Sequence, residues 1–203
     1  MTRKFSDKEL IVATHNQGKL AEIKDYLGNY LETLYSANDL ELDDPEETED
    51  TFEGNAMLKA LAAAKATGRI ALADDSGFAV DVLGGAPGIY SARWAEQEDG
   101  TRNFEQAMID VNEQTKDQDN KNAKFVCVIA LAWPDGHCET ARGEITGQII
   151  WPPRGDKGFG YDPMFMPDGT TQTFAEISPD EKRADSHRTR AIKGIVEKCF
   201  KTA

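Results

Sequence analysis

Four consecutive apolar positions, Leu10, Ile11, Val12 and Ala13, are followed by the polar run Thr14, His15, Asn16, Gln17 and Gly18. This predicts a short buried strand leading into a loop. Beyond it the spacing changes: Leu20, Ile23 and Leu27 recur at helical intervals, so a helix begins near Lys19. A second strand is expected over residues 31–35. The alanine-rich residues 51–66 read as a helix ended by Gly68. Residues 70–73 form another apolar strand, which runs into Asp74-Asp75-Ser76-Gly77 just past its end. Residues 78–83 read as extended, and Gly84-Gly85-Ala86-Pro87-Gly88 as a turn-rich loop.

In the second half, Thr101 is the expected N-cap of a helix carrying Phe104, Met108 and Val111. Residues 115–122 are a polar surface connection. A central strand, residues 124–133, meets the turn Pro134-Asp135-Gly136 and returns over residues 137–145 as a hairpin. A second short hairpin is expected around Pro167-Asp168-Gly169. Ser178-Pro179-Asp180-Glu181 reads as a capping box with proline at the first helical position. The last helix starts near Ser186 and turns Ile192, Ile195, Val196, Cys199 and Phe200 inward. Strand–helix alternation followed by hairpins, without an internal repeat, argues a mixed α/β protein.

Composition narrows the function classes. With 23 Lys+Arg against 36 Asp+Glu over 203 residues the net charge is −13, which argues against a binder of DNA or RNA polymers or of an anionic membrane surface. The longest apolar run, residues 125–133, is far short of a membrane span of roughly 20 residues, and no secretory leader is expected. Three widely spaced cysteines, Cys127, Cys138 and Cys199, form neither zinc spacing nor a disulfide framework. A reducing, cytoplasmic location is therefore expected.

Several residues offer chemistry. A strand, polar loop and helix start over Thr14 to Lys19 present backbone N–H groups and a positive dipole end to an anion. Ordinary loops share that form. Asp74-Asp75 could supply one carboxylate to a site, because adjacent strand residues point to opposite faces. Its plainer alternative is a turn aspartate. Residues 41–53 hold eight acidic side chains and no basic one. Most of that segment reads as solvated, yet one carboxylate from it could meet Asp75 across Mg²⁺, with Lys59 nearby. Lys182, His187 and Arg188 fall around a helix start, where the dipole disfavours cations, so an anionic or carbonyl-rich ligand would account for them. Gly158 and Gly160 flank Phe159 and permit a backbone that presents its ring, although a core-packed ring is the common outcome.

Taken in order, Thr14-x-Asn16-x-x-Lys19, Ala73-Asp74-Asp75-Ser76-Gly77 running on to Gly84-Gly85-Ala86-Pro87-Gly88 and Arg93, Gly158-Phe159-Gly160-Tyr161-Asp162-Pro163, and Ser186-His187-Arg188 resemble the inosine triphosphate pyrophosphatase family, the non-canonical purine nucleoside triphosphate pyrophosphatases. The resemblance spans about residues 10–200. It implies a single domain over residues 1–203, an elongated mixed α/β sheet with flanking helices, and two lobes about a central cleft. It also implies a homodimer. The implied reaction is Mg²⁺-dependent hydrolysis of ITP, dITP and XTP to the monophosphate and pyrophosphate.

By the same resemblance Thr14, His15, Asn16, Gln17, Gly18 and Lys19 hold the triphosphate, assisted by Lys59. Asp75 is the catalytic carboxylate and a metal ligand, and Ser76 lies beside the substrate. Phe159, Gly160, Tyr161, Asp162, Lys182, His187 and Arg188 form the nucleoside pocket. Glu47 is the second metal carboxylate, with Glu46 its neighbour and alternative. Two other readings compete: a nucleotide-binding module without chemistry, and a pyrophosphatase of different base preference.

Overall fold

The computed structural model describes residues 2–200 of the protein. These residues fall into two compact units: one takes in the chain up to Asp75, Cys127–Gly143 and the chain from Arg188 onward, the other Ser76–Val126 and Glu144–His187. Their strands belong to one seven-stranded mixed sheet, in the order β2-β1-β3-β5-β6-β7 with β4 on β3. The strands are β1 (Glu9–Val12), β2 (Thr33–Ser36), β3 (Ala71–Val80), β4 (Pro87–Gly88), β5 (Asn122–Ala132), β6 (Cys138–Ile149) and β7 (Phe165–Pro167). The helices are α1 (Gln17–Leu27), α2 (Phe52–Thr67), α3 (Phe104–Thr115), α4 (Pro179–Ala184) and α5 (His187–Ile195), the last continuing as a π turn over Val196–Phe200. Among the described residues no helix is long and apolar enough to cross a membrane.

In the first unit β1 runs parallel to both β2 and β3. Leu10 and Val12 of β1, Leu72 of β3 and Ile129 and Leu131 of β5 form one apolar face, which α1 covers with Leu20, Ile23 and Leu27 and α5 with Ile192 and Ile195. Each such side chain, once buried, contributes roughly 1.5–3 kcal/mol. Burial of that face therefore holds α1 and α5 against the sheet. Helix α1 begins two residues earlier than the apolar spacing predicts, because the Asn16 carboxamide caps it by accepting from the Lys19 N–H at 3.1 Å. Helix α2 follows the predicted span closely: Thr51 caps it, and Gly68 closes it at φ 67°.

The second unit is built around aromatic rings. Phe78 of β3 stacks on Tyr161 and meets Phe125 and Phe165, while Met108 and Val111 of α3 close the cluster. The cap of α3 is Asn103, which accepts from the Gln106 N–H at 3.0 Å, rather than Thr101. Thr101 is held instead by Asp99 at 2.6 Å. The turn at Pro167-Asp168-Gly169 closes, with Thr170 N donating to Pro167 O at 3.2 Å, but no second strand completes the expected hairpin: β7 pairs antiparallel with β6, and the returning chain donates from Phe174 N to Phe165 O at 3.0 Å.

One further expectation is corrected at the motif itself. Asp74-Asp75-Ser76-Gly77 lies inside β3 rather than past its end. The strand continues because Gly77 lets the backbone of Gly88 approach. A Cβ on Gly77 would stand 2.1 Å from the Gly88 carbonyl oxygen and 2.7 Å from Ser91 Oγ. Ser91 locks that approach, accepting from Phe78 N at 2.7 Å and donating to Gly88 O at 2.6 Å. This contact brings the two glycine-bearing motifs together in space.

Candidate active site

Within the first unit, charged side chains from α1, α2, β3, α5 and the acidic segment converge. Lys59, in the second turn of α2 and buried, places Nζ 2.5 Å from Glu47 and 3.4 Å from Asp75. Four residues before it, Asn55 donates to Asp75 at 3.5 Å and accepts from the Glu49 N–H at 3.1 Å. The acidic segment is thus tied to α2 at two points. Glu47 is the carboxylate that reaches Lys59, whereas Glu46 is exposed.

The neighbouring Asp74 points elsewhere. One of its oxygens, Oδ2, lies 2.8 Å from Lys19 Nζ and 3.7 Å from Arg188 Nε. Arg188 is 2% exposed and also pairs through Nη1 with Glu22 at 2.5 Å. The two aspartates differ sharply in proton affinity. Burial pushes Asp75 up to about 6, with Lys59 opposing and Glu47 adding to the shift. Burial also acts on Asp74, but the cations of Lys19 and Arg188 overcome it and hold that carboxyl well below the usual range. Lys59 is held charged: its burial is outweighed by Asp75, Asp74 and Glu47.

Of the polar residues leading into α1, Thr14 is buried and the next four lie at the surface. His15, Asn16, Gln17 and Gly18 are exposed, His15 Nδ1 meets Asn38 Oδ1 at 2.8 Å, and Thr14 Oγ1 accepts from Asn16 N at 3.2 Å. A cavity of about 400 Å³ opens beside His15, Lys59 and the alanines Ala62, Ala63 and Ala66 of α2.

In the second unit Phe159 is 46% exposed, held between Gly158 at φ 73° and Gly160 at φ 68°. Asp162 fixes this loop from beneath by accepting from Phe159 N at 2.9 Å and pairing with Lys182 at 2.5 Å. The Lys182 ammonium also sits 4.9 Å from the Phe159 ring centre. An outward aromatic face with a cation against it is a stacking platform for a planar ligand. Tyr161, by contrast, is a core residue: it stacks on Phe78 and donates to the Ser91 carbonyl at 3.0 Å. His187 stacks on Phe125 at 4.9 Å and is buried. Ser76 is half-buried within β3.

The cations that seemed misplaced at a helix start have partners in the protein itself. Lys182 lies in the last turn of α4 and meets Asp162, while Arg188 meets Asp74 and Glu22. The pattern reading overlooked Glu22, Asn55 and the role of Asp74. A signal for Asn55 existed: Asn55 and Lys59 stand four apart as polar residues among the alanines of α2. Cys127 is buried, its thiol pushed up to about 12, which suits an inert packing group.

Among the described residues no group of three or more His, Cys, Asp or Glu forms an all-protein metal cage. Two carboxylates converging on one cation fit a different kind of ion. Mg²⁺ is commonly held by one or two carboxylates and completed by water and substrate phosphates. Glu47 and Asp75 offer hard oxygen atoms of that kind, and both meet Lys59 Nζ.

Comparison with known proteins follows the same lines. The chain is 51% identical to a dITP/XTP pyrophosphatase of Rhizobium meliloti (strain 1021), over 98% of this chain and 99% of that protein. It is 52% identical to a dITP/XTP pyrophosphatase of Rhodospirillum centenum over 98% of each. Among solved structures it is similar to a HAM1 protein from Coxiella burnetii, with TM-score 0.86 and 38% identity over 93% of this chain and 96% of that one. The Ham1 protein of Staphylococcus aureus gives TM-score 0.82 and 37% identity over 92% and 95%. The Ham1 family model matches residues 10–198. With its fold, its motifs and nearly its whole length in agreement, the chain belongs to the Ham1 family.

Proposed function

We propose that this protein hydrolyses the non-canonical purine nucleoside triphosphates dITP, ITP and XTP to the nucleoside monophosphate and pyrophosphate, with Mg²⁺ as cofactor. The observation that carries the reading is the convergence of Glu47 and Asp75 on one buried cation. The names of relatives half identical over nearly their whole length support the substrate class.

Glu47 and Asp75 would hold the metal, which when bound supplies positive charge against the charge developing on the phosphate oxygens. The backbone N–H groups of Gln17 and Gly18 at the start of α1 and the Lys19 ammonium clamp the triphosphate. Lys59 adds a second cation. Asp75, whose carboxyl binds a proton more tightly than usual, orients and deprotonates the attacking water. Ser76 stands beside the reacting phosphate.

Phe159 stacks on the base, and Lys182 and Arg188 donate to the 6-oxygen of hypoxanthine or xanthine, where adenine carries an amino donor. Guanine shares that oxygen, so its rejection falls to other groups. Gly160, Tyr161, Asp162 and His187 act through the shape of the pocket, since their contacts hold the loop and core in place. The enzyme works in the cytoplasm, which its three free cysteines suit, and as a homodimer, as the resemblance of its motifs implies.

The test is a nucleotide panel with and without Mg²⁺, with pyrophosphate and orthophosphate detected separately. Pyrophosphate released from dITP, ITP and XTP well above ATP and GTP is expected. Sequential orthophosphate release would overturn the reading.

A further inference from the structure

The strongest relationship left unused by the reaction is a single oxygen shared by two cations. Oδ2 of Asp74 lies 2.8 Å from Lys19 Nζ and 3.7 Å from Arg188 Nε, and the Asp74 side chain is 1% exposed. The two cations differ in freedom. Lys19 stands in the first turn of α1 with its side chain 18% exposed, whereas Arg188 is 2% exposed and anchored at its other end by Glu22. A buried carboxylate cannot be left without a counter-charge, because breaking such a pair is strongly unfavourable. Lys59 also acts on Asp74, so if a phosphate draws the mobile ammonium away, the buried guanidinium, already 3.7 Å from Oδ2, takes a larger share of that charge and is drawn closer.

We propose that Asp74 is a positioning residue that couples Lys19 to Arg188, so that capture of a triphosphate by Lys19 fixes the Arg188 guanidinium in its working orientation. The inference rests on the proposed function for placing phosphate at Lys19 and the base at Arg188. The coupling itself runs through the contacts of Asp74 with Lys19 and Arg188. It differs from the role of Asp75, which faces Lys59 from the other side of the strand. The consequence is that a ligand's phosphate tail tunes how well its base is read.

Two measurements test it. In ¹⁵N NMR of the intact protein, the Arg188 Nε–H resonance should shift saturably on addition of inorganic triphosphate, which carries no base. At equal occupancy it should stay in place in Lys19→Met. In kinetics, the isosteric Asp74→Asn should raise KM for ITP and cut the ITP-to-ATP ratio of kcat/KM by about tenfold, roughly the effect of one lost charge-assisted contact. Asp74→Glu should restore part of that ratio, and adding Lys19→Met to Asp74→Asn should cost no further discrimination.

An Arg188 resonance indifferent to saturating inorganic triphosphate overturns the coupling. So does an Asp74→Asn ratio within twofold of the parent enzyme. Absence of triphosphate binding removes Lys19 as its site and the coupling with it. If Asp74→Asn does not fold, the comparison between the parent protein and Lys19→Met decides alone. A parent enzyme inactive on ITP overturns the proposed function, and the resonance experiment still decides the coupling.

Discussion

The ammonium of Lys59 stands 3.4 Å from a carboxylate oxygen of Asp75, and both side chains are almost wholly buried. An ion pair of that kind would normally keep the carboxyl strongly acidic. Here burial and the nearby Glu47 prevail, and Asp75 is pushed up to about 6. Its neighbour Asp74, paired with Lys19 and Arg188, remains ionised throughout. Alternation along β3 thus gives two adjacent carboxyls different tasks: Asp74 is a fixed charge, and Asp75 can exchange a proton near neutrality.

Asp75→Asn keeps size and removes that exchange. Turnover should fall by at least 10²–10⁴-fold, roughly the worth of a general base, and further if metal affinity is lost as well. The fold should be retained. Near-parental kcat in a folded variant would leave Asp75 a structural residue.

The same substitution has a stability consequence with a definite sign. The folded-state value of about 6 lies above the ordinary 3.8, so folding is favoured by protonation of this group. Its stabilising contribution is full below pH 3.8 and disappears as the pH rises through about 6. At pH 8 the parent protein holds an ionised, partly desolvated carboxylate that Asn removes. Asp75→Asn should therefore raise Tm at pH 8 and have less effect at pH 4.5, measured by calorimetry without metal. A lower Tm at pH 8 would mean that the pair with Lys59 outweighs burial.

In the proposed reaction, metal and proton compete for Asp75. The acid limb of kcat/KM for ITP should sit near pH 6 when Mg²⁺ is scarce and move to lower pH as Mg²⁺ is raised, because ligation requires the deprotonated carboxylate. An acid limb that does not respond to Mg²⁺ concentration would separate the titrating group from the metal.

Lys19→Ala should weaken triphosphate binding by roughly 1.5–3 kcal/mol, the worth of a charge-assisted hydrogen bond. Monophosphate binding should change much less. Titration calorimetry with IMP and a non-hydrolysable ITP analogue separates the two. Equal losses would place Lys19 away from the β and γ phosphates.

Phe159→Ala leaves the core alone, since the ring is 46% exposed. Loss of base stacking should cost about 1–3 kcal/mol, read mainly in KM. Thermal stability should stay close to that of the parent. A fall in Tm with unchanged KM would make Phe159 a packing residue after all.

The elements themselves were legible along the chain. Periodicity located α1 through Leu20, Ile23 and Leu27, the capping box at Ser178 and Glu181 formed as written, and Gly68 ended α2. These are local features, decided by neighbours within a few residues, which is why a linear reading finds them. The order of the motifs also identified the family. The caps Asn16 and Asn103 shifted two helix starts by a couple of residues, whereas a distant partner displaced the motif in β3. The Asp74-Asp75-Ser76-Gly77 motif reads as a turn until Gly88 and Ser91 close on Gly77 and extend the strand through it.

By itself, then, the sequence determined which residue types could bind phosphate, metal and base, and roughly which elements carry them. Only the tertiary structure decided their partners. It joined Arg188 to Glu22 across 166 positions, chose Glu47 over Glu46 for Lys59, turned Phe159 outward and Tyr161 inward, and set Asp74 and Asp75 on different cations. The physical reason is that burial and Coulomb attraction act through space. A carboxylate's proton affinity depends on which charges and how much water surround it, and neither is written in its immediate neighbours along the chain.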